Sequence, residues 1–202
     1  QTLAALAEKH FGSSLKGKFV LTGGMGAMSG AQPMSVTMNE GVIIDVEIDP
    51  ERIKGKDKEG YCNKMTYSMD EAIKWMKEAV KKGEPLSIGL VGNAATVFPE
   101  FVKRNIIPDI VTDQTSAHNL LDYVPIGNLE ELLKLKNTNP EKYKKLSLEA
   151  ILKHTQAIVD MQNKGAIAFD YGNNLRGQAE KGGMEIRDNK GEFLYPGFVP
   201  AY

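Results

Sequence analysis

A glycine-rich stretch near the N-terminus has the residue types and the spacing of a phosphate-binding turn. The apolar run that begins at Phe19 leads into Gly24-x-Gly26-x-x-Ser29, with Gly30 directly behind it. In the dinucleotide-binding fingerprint, the first glycine permits a tight turn and the second lets the backbone approach a pyrophosphate, while the third lets a helix pack closely on a strand. Ser29 occupies the third position, so the stretch is a near match. An ordinary glycine-rich turn is the alternative interpretation.

An acidic side chain about twenty residues further on favours the nucleotide interpretation. The apolar run that begins at Gly41 is typical of a second strand, and Glu47 lies near its carboxyl end. Nucleotide-binding folds place there the acid that accepts hydrogen bonds from ribose hydroxyls, and Asp45 and Asp49 are rival candidates. Asp49 and the proline after it predict the start of a short helix. That helix carries Arg52, which either reaches the same ribose or phosphate or is a solvated charge.

Polar residues follow the other predicted strands at the point where each strand ends. The predicted strands are residues 16–22, 41–47, 85–91, 108–113 and 165–170. Asn93 follows the third strand, the run 114–118 follows the fourth and Tyr171 follows the fifth. Ligands of open α/β sheets bind outside the carboxyl ends of the strands, so we expect these groups to gather at one edge. His118 could carry a proton there, or it could simply be exposed.

Segments with helical periodicity or helix caps alternate with these strands. The predicted helices are residues 2–10, 34–39, 48–54, 68–80, 98–104, 128–136 and 140–163, whereas residues 55–64 are polar and turn-like. Alternation of strands and helices predicts an α/β fold with right-handed crossovers. We therefore expect a Rossmann-like, doubly wound and mostly parallel sheet with helices on both faces.

Composition limits the classes of protein to which the chain can belong. Its 202 residues, 42% of them hydrophobic, suffice for one core, so residues 1–202 are predicted to form a single domain. A net charge of −1 gives no reason to expect a nucleic-acid partner. No apolar run approaches the length of a membrane span, and no signal peptide is evident. The single cysteine, Cys62, fits a reducing, cytoplasmic compartment and is expected to be a small packing residue rather than a nucleophile.

Five blocks of sequence, in this order along the chain, carry a resemblance to a known family. They are Gly24-Met-Gly-Ala-Met-Ser-Gly-Ala-Gln32-Pro33, Val46-Glu47-x-Asp49-Pro-Glu-Arg52-Ile53, Gly92-Asn-Ala-Ala95, Asp109-Ile-Val-Thr-Asp-Gln-Thr-Ser-Ala-His118 and Phe169-Asp-Tyr-Gly-Asn-Asn-Leu-Arg176. These blocks resemble urocanase, the urocanate hydratase of histidine breakdown. The matching part is the family's central NAD-binding domain, which interrupts a larger core domain. The resemblance therefore implies a domain excised from a larger enzyme, consistent with a chain that begins at Gln1.

The resemblance also implies which residues contact NAD. The glycine turn would hold the pyrophosphate and an acid and an arginine would face the ribose, with further contacts from the strand exits. The implied positions are Gly24, Gly26, Ala27, Met28, Ser29, Glu47, Arg52, Asn93, Ala94, Gln114, Thr115, Ser116, Ala117, His118, Tyr123, Val124 and Tyr171. Ala27 and Ser29 stand where the family usually has glycine. The loop from His118 to Tyr123 is about one residue shorter than is usual in the family.

The chemistry implied by the resemblance belongs to a larger protein. In urocanases, water adds to urocanate to give imidazolonepropionate, with tightly bound NAD as an electrophile, in an intact enzyme expected to be a homodimer and a cytoplasmic lyase. The family's active-site cysteine lies beyond the matching part, and Cys62 shares no motif with it. We expect no catalytic residue and no metal in this chain, and no activity from the chain alone. An NAD(P)-dependent dehydrogenase domain and a non-catalytic nucleotide-binding module remain as alternatives.

Overall fold

A computed structural model of the chain describes residues 1–27 and 29–202, and it is built around one parallel sheet. The strands are β1 Phe19–Gly23, β2 Val42–Glu47, β3 Lys64–Thr66, β4 Leu86–Val91, β5 Ile110–Val111 and β6 Ile167–Ala168. The helices are α1 Thr2–Phe11, α2 Gln32–Met38, α3 Pro50–Lys58, α4 Met69–Lys82, α5 Ala94–Lys103, α6 Leu129–Thr138, α7 Pro140–Asn163, α8 Leu175–Lys181 and α9 Phe198–Ala201.

The order of the strands places a crevice at the centre of the sheet. The order is β3-β4-β2-β1-β5-β6, and every neighbouring pair is parallel. β1 pairs with β2 on one side, where Phe19 lies opposite Val42, and with β5 on the other, where Val20 lies opposite Ile110. The chain therefore reverses its direction of winding beside β1. Ligands of open α/β sheets bind at the carboxyl ends of the strands that flank such a switch point.

Helices cover both faces of the sheet, which is why β1 and β2 are buried along their whole length. On one face, Leu21 and Ile44 belong to a cluster with residues of α4, α5 and α7. On the other face, Val20 and Ile43 pack with Leu6 of α1 and with residues of α2. The predicted Rossmann-like α/β fold is therefore confirmed.

The sequence analysis was wrong about residues 55–64, which are not one turn-like segment. α3 continues to Lys58, and Lys64 begins the edge strand β3, so the sheet has six strands where five were predicted. β3 has no apolar periodicity because it is only three residues long. It is fixed next to β4 through Asn63, whose amide N–H donates to Ser87 Oγ at 2.9 Å and whose Oδ1 accepts from the Ser87 amide at 2.9 Å. Helices α8 and α9 were also not predicted.

Candidate functional site

A cavity of about 570 Å³ lies at the carboxyl edge of the sheet, where the predicted polar clusters meet. This volume falls in the range of small-molecule sites, roughly 300–1,000 Å³. The cavity is lined by fifteen of the implied NAD positions, namely Gly24, Gly26, Ala27, Ser29, Glu47, Arg52, Asn93, Ala94, Gln114, Thr115, Ser116, His118, Tyr123, Val124 and Tyr171. Residues up to 147 positions apart in the sequence are thus brought to one place by the parallel sheet.

Two implied positions are not among the lining residues. Ala117 is fully buried in the core, and its carbonyl oxygen accepts a hydrogen bond from Gln178 Nε2 at 3.1 Å. Met28 lies outside the described residues.

The turn after β1 requires glycine at Gly24 and leaves room beside Gly26. Gly24 has φ of +91°, and a Cβ atom there would lie 2.8 Å from the carbonyl oxygen of Gln114. A side chain would therefore force the turn away from the loop that follows β5. Among the atoms of residues 1–27 and 29–202, a Cβ atom at Gly26 would have only Ser29 Oγ, at 3.6 Å, within 4 Å. The space beside Gly26 is open to the cavity, as close approach of a ligand would require.

Ser29 stabilises the turn in a way that glycine could not. Its Oγ accepts a hydrogen bond from the Gly26 amide at 2.7 Å, and its side chain is buried. Helix α2 begins only at Gln32, so the turn extends further than the fingerprint alone would indicate.

Glu47 has a buried carboxylate that connects β2 to the glycine turn. Oε2 accepts from the amide of Met25 at 2.8 Å, and Oε1 accepts from the amide of Asp49 at 3.0 Å. A carboxylate offers about four acceptor positions, so it could also accept from two ribose hydroxyls. Glu47 thus fixes the shape of the turn in addition to lining the cavity.

Arg52 lies at the mouth of the cavity. Its Nη1 is 3.6 Å from Glu47 Oε2, its Nε is 3.8 Å from Asp49 Oδ2, and 56% of its side chain is exposed. Ion pairs as exposed as this one contribute little to stability, about 0–1 kcal/mol. The guanidinium is therefore free to reach an anionic ligand.

Asn93 shapes the cavity through hydrogen bonds within the protein. Its Oδ1 accepts from the amide of Ala95 at 2.9 Å and caps α5, and its Nδ2 donates to the carbonyl oxygens of Val124 and Pro125, both at 3.0 Å. Both protons of the amide are used in this way. The side chain ties the loop after β4 to the loop before α6.

The loop after β5 presents an unsatisfied polar atom. Gln114 Oε1 is buried and has no hydrogen-bond partner among the described residues. Ser116 and His118 are exposed and line the same cavity. A buried acceptor without a donor is costly, so a ligand that donates to Gln114 would be bound favourably.

The two tyrosines contribute ring surface more than hydroxyl groups. The hydroxyl of Tyr123 is 3.1 Å from Nδ1 of the fully buried His154 and is hydrogen-bonded to it. Tyr171 packs in an edge-on arrangement on Phe169, with ring centroids 5.0 Å apart. Burial raises the pKa of Tyr171 to about 12, so its hydroxyl stays protonated.

Several further residues line the cavity but are not among the implied NAD positions, and one of them, Asp49, was a rival of Glu47 as the ribose acid. They are Val46, Ile48, Asp49, Gly92, Asp122, Leu129, Leu133, Gly172 and Asn173. Leu129 and Leu133 lie one turn apart on α6, and Leu133 is 51% exposed, which is unusual for a leucine on a partly packed helix. The i, i+4 spacing of these leucines was visible in the sequence, but nothing indicated that their helix borders the cavity.

Cys62 is a packing residue, as predicted. It is buried in a small cluster with Met25 and Ile53, and burial raises the pKa of its thiol to about 11. A thiol with so high a pKa is a poor nucleophile at neutral pH. Within residues 1–27 and 29–202, no group of His, Cys, Asp and Glu side chains could hold a metal ion. In the same ranges, no helix is long and apolar enough to cross a bilayer.

A family model described as the urocanase Rossmann-like domain matches residues 1–202. The chain belongs to the urocanase family. The match extends over the glycine turn, Glu47 and each strand-exit loop that lines the cavity.

Solved structures of other proteins are similar to this chain at a distant level. A short-chain dehydrogenase from Shigella flexneri is 13% identical, with a TM-score of 0.43, over 85% of this chain and 66% of that chain. A 3-oxoacyl-[acyl-carrier protein] reductase with bound NAD from Brucella melitensis is 10% identical, with a TM-score of 0.38, over 78% and 53%. A short-chain type dehydrogenase/reductase from Mycobacterium ulcerans is 13% identical, with a TM-score of 0.38, over 78% and 51%. The chain thus spans about half to two thirds of these structures, and likenesses this distant do not extend to function.

Proposed function

We propose that this chain is the NAD-binding domain of a urocanate hydratase, a lyase that adds water to urocanate in histidine degradation. The observation that carries the proposal is the cavity at the switch point of the sheet. It combines a glycine turn with open space beside Gly26, a buried acid in Glu47 and an unsatisfied acceptor in Gln114. Each of these suits one part of a dinucleotide.

The residues of the chain would bind and orient the cofactor. The backbone around Gly26 would face the pyrophosphate, since only a glycine leaves that approach open. Glu47 would accept from the hydroxyls of a ribose, and its negative charge would disfavour a ribose phosphate. The bound dinucleotide would supply an electrophilic nicotinamide ring. The rest of the urocanate pocket is proposed to lie in another domain of the intact enzyme, which we propose to be a cytoplasmic homodimer.

The proposal predicts that the chain binds NAD more tightly than NADP. Titration calorimetry of the purified chain with each nucleotide measures this preference directly. NADP bound as tightly as NAD would contradict the role of Glu47. The absorbance of a reduced nicotinamide on addition of urocanate would instead indicate a dehydrogenase.

A matched pair of glycine variants locates the binding to the cavity. Gly24→Ala places a Cβ atom at φ +91° against the loop after β5 and should abolish NAD binding. Gly191→Ala introduces a Cβ atom at a similar φ of +82°, but nothing lies within 4 Å of it. This control carries the same backbone strain away from the cavity and should bind NAD as the unchanged chain does.

A further inference from the structure

Behind the cavity wall, three buried polar side chains lie next to one another. The hydroxyl of Tyr123 is bonded to Nδ1 of His154, and Nε2 of His154 is 3.5 Å from Oδ1 of Asp113. His154 and Asp113 are essentially inaccessible to solvent, and neither lines the cavity. Burial lowers the pKa of His154 to about 3, so the imidazole is neutral and carries one proton. Nε2 of His154 and Oδ1 of Asp113 are both buried and have no hydrogen-bond partner among the described residues.

The other oxygen of Asp113 connects two loops of the cavity. Oδ2 accepts from the amide of Thr115 at 3.2 Å and from Thr115 Oγ1 at 2.8 Å, and it also accepts from Asn173 Nδ2. Asn173 Nδ2 donates in addition to the carbonyl oxygen of Thr115 at 2.8 Å. Thr115 lies on the loop after β5 and Asn173 on the loop after β6, and both line the cavity. Asp113 therefore holds together two loops that come from different strands.

We propose that Asp113 is a positioning residue for the cofactor, and that its ionised carboxylate clamps the loops 114–118 and 171–174 into the shape that binds NAD. The inference rests on the function proposed above. Three donors bond to one oxygen of the carboxylate, Oδ2: the Thr115 amide, the Thr115 hydroxyl and the Asn173 side-chain amide. A carboxylate can accept from all three, whereas a protonated acid has a hydrogen of its own to place and is a weaker acceptor.

The clamp is expected to respond to pH near neutrality. Burial raises the pKa of Asp113 to about 7, against the opposing effect of the Thr115 and Asn173 hydrogen bonds. The other titratable groups around it are Tyr123, His154, Asp170, Asp45 and Tyr195. If only the ionised form closes the clamp, the fraction of competent protein falls below pH 7. Apparent NAD affinity should then weaken about tenfold between pH 8 and pH 6.

The test is calorimetric titration of the chain with NAD at pH 6, 7 and 8. The affinity of Asp113→Asn should be about tenfold weaker at pH 8, because a neutral acceptor is weaker than a carboxylate, and nearly constant down to pH 6. Asp57→Asn removes an exposed carboxyl that does not line the cavity and should keep the pH profile of the unchanged chain.

Hydrogen exchange of the unchanged chain without NAD tests the clamp even if Asp113→Asn does not fold. The amide of Thr115 should lose protection from pH 8 to pH 6, after correction for intrinsic exchange. The control is the amide of Ala95, which donates to the neutral Oδ1 of Asn93 beside the same cavity. Its protection should not change with pH. The proposed role of Asp113 would be overturned if protection of the Thr115 amide did not change with pH, as for Ala95, or if NAD affinity were the same at pH 8 and pH 6. Absence of NAD binding at every pH would instead overturn the proposed function.

Discussion

Glu47 accepts from two backbone amides while it lines the cavity, so its substitution should affect both the turn and the nucleotide. Glu47→Gln places an amide group against the N–H of either Met25 or Asp49 and leaves that donor unpaired, at a cost of about 1–3 kcal/mol. The variant also removes the charge that would repel a ribose phosphate. We expect NAD affinity to fall about tenfold and the preference for NAD over NADP to shrink.

The control for this prediction is Glu51→Gln in the first turn of α3. Glu51 is exposed, and its carboxylate is paired only with Lys54 on the surface. Calorimetry should give this variant the same affinities for NAD and NADP as the unchanged chain. If Glu47→Gln kept the full preference for NAD, the assignment of Glu47 to the ribose would fail.

Asp45 makes the stability of the fold depend on pH. Both of its carboxylate oxygens are buried without a hydrogen-bond partner among the described residues. Burial, with smaller contributions from the charges of Glu47 and Asp113, raises the pKa of Asp45 well above its usual range. The folded state therefore keeps a proton that the unfolded chain releases above about pH 4.

The sign of the effect follows from this difference in bound protons. Asp45 favours folding most below pH 4, and its contribution is lost as pH rises toward its raised pKa, by about 1.4 kcal/mol per pH unit at most. Asp45→Asn should remove this pH dependence. The free energy of unfolding of the variant, relative to that of the unchanged chain, should therefore increase from pH 4 to pH 7. Urea unfolding at several pH values measures the free energy of unfolding. The control is Asp57→Asn, which changes an exposed carboxyl. Parallel curves for the unchanged chain and Asp45→Asn would contradict the prediction.

At the level of elements, the Asn93 side chain caps the N-terminus of α5 and is hydrogen-bonded to the loop before α6. Asn93→Ala removes the cap and both bonds to the carbonyl oxygens of Val124 and Pro125. Loss of a helix cap alone costs about 0.5–2 kcal/mol. We therefore expect Asn93→Ala to lower the free energy of unfolding by more than Ser68→Ala, which removes only the cap of α4.

Asn93→Ser separates these two roles. It keeps an oxygen for the Ala95 amide but loses the donors to the loop, so thermal unfolding should change less than in Asn93→Ala while NAD affinity falls in both. If NAD affinity were unchanged in both variants, the loop held by Asn93 would have no part in binding.

The sequence predicted the elements whose residues carry a repeated signal. β1, β2 and β4 are largely buried on both faces and are therefore mostly apolar, and α4 has both a Ser68 cap and an apolar stripe. β3 has three residues and no pattern, and it exists because Asn63 pairs with Ser87 across the sheet edge. Local composition cannot reveal a pairing made 24 residues away.

The candidate site was predictable to the extent that its residues follow strands. Parallel strands bring their carboxyl ends to one edge whatever the helices do, which explains why the separate polar clusters meet in one cavity. Leu129 and Leu133 could not be foreseen in the same way, because the position of α6 depends on how it packs against α7. Asp113 and His154 lie behind the wall, and only the folded structure brings them together.

At the level of the whole molecule, we propose that the cavity supplies only part of the surface that holds the cofactor. We propose that a second domain of the intact enzyme encloses the nicotinamide end. Each hydrogen-bonded contact missing from the isolated chain costs roughly 1–3 kcal/mol, and 1.4 kcal/mol is about tenfold in affinity. The chain should therefore fold but be purified largely without NAD, and it should not consume urocanate even with NAD added.

Ultraviolet absorbance checks both parts of this prediction. The spectrum of acid-released nucleotide gives the NAD content of protein purified without supplement, and the absorbance of urocanate gives turnover. Stoichiometric NAD would show that this domain alone supplies the binding energy. Loss of urocanate absorbance would show that it also contains the catalytic machinery.

The position of β1 in the middle of the sheet has a consequence for how the chain folds as it is synthesised. β1 can pair with β2 almost at once, but its other neighbour, β5, follows about 90 residues later. At translation rates of about 5–20 residues per second, that edge waits roughly 5 to 20 seconds for its partner. During this interval an apolar, hydrogen-bonding strand edge is open to other chains. The nascent chain is thus most prone to aggregate between the emergence of β1 and that of β5, and a chaperone that shields β1 in this window would raise the yield of folded protein.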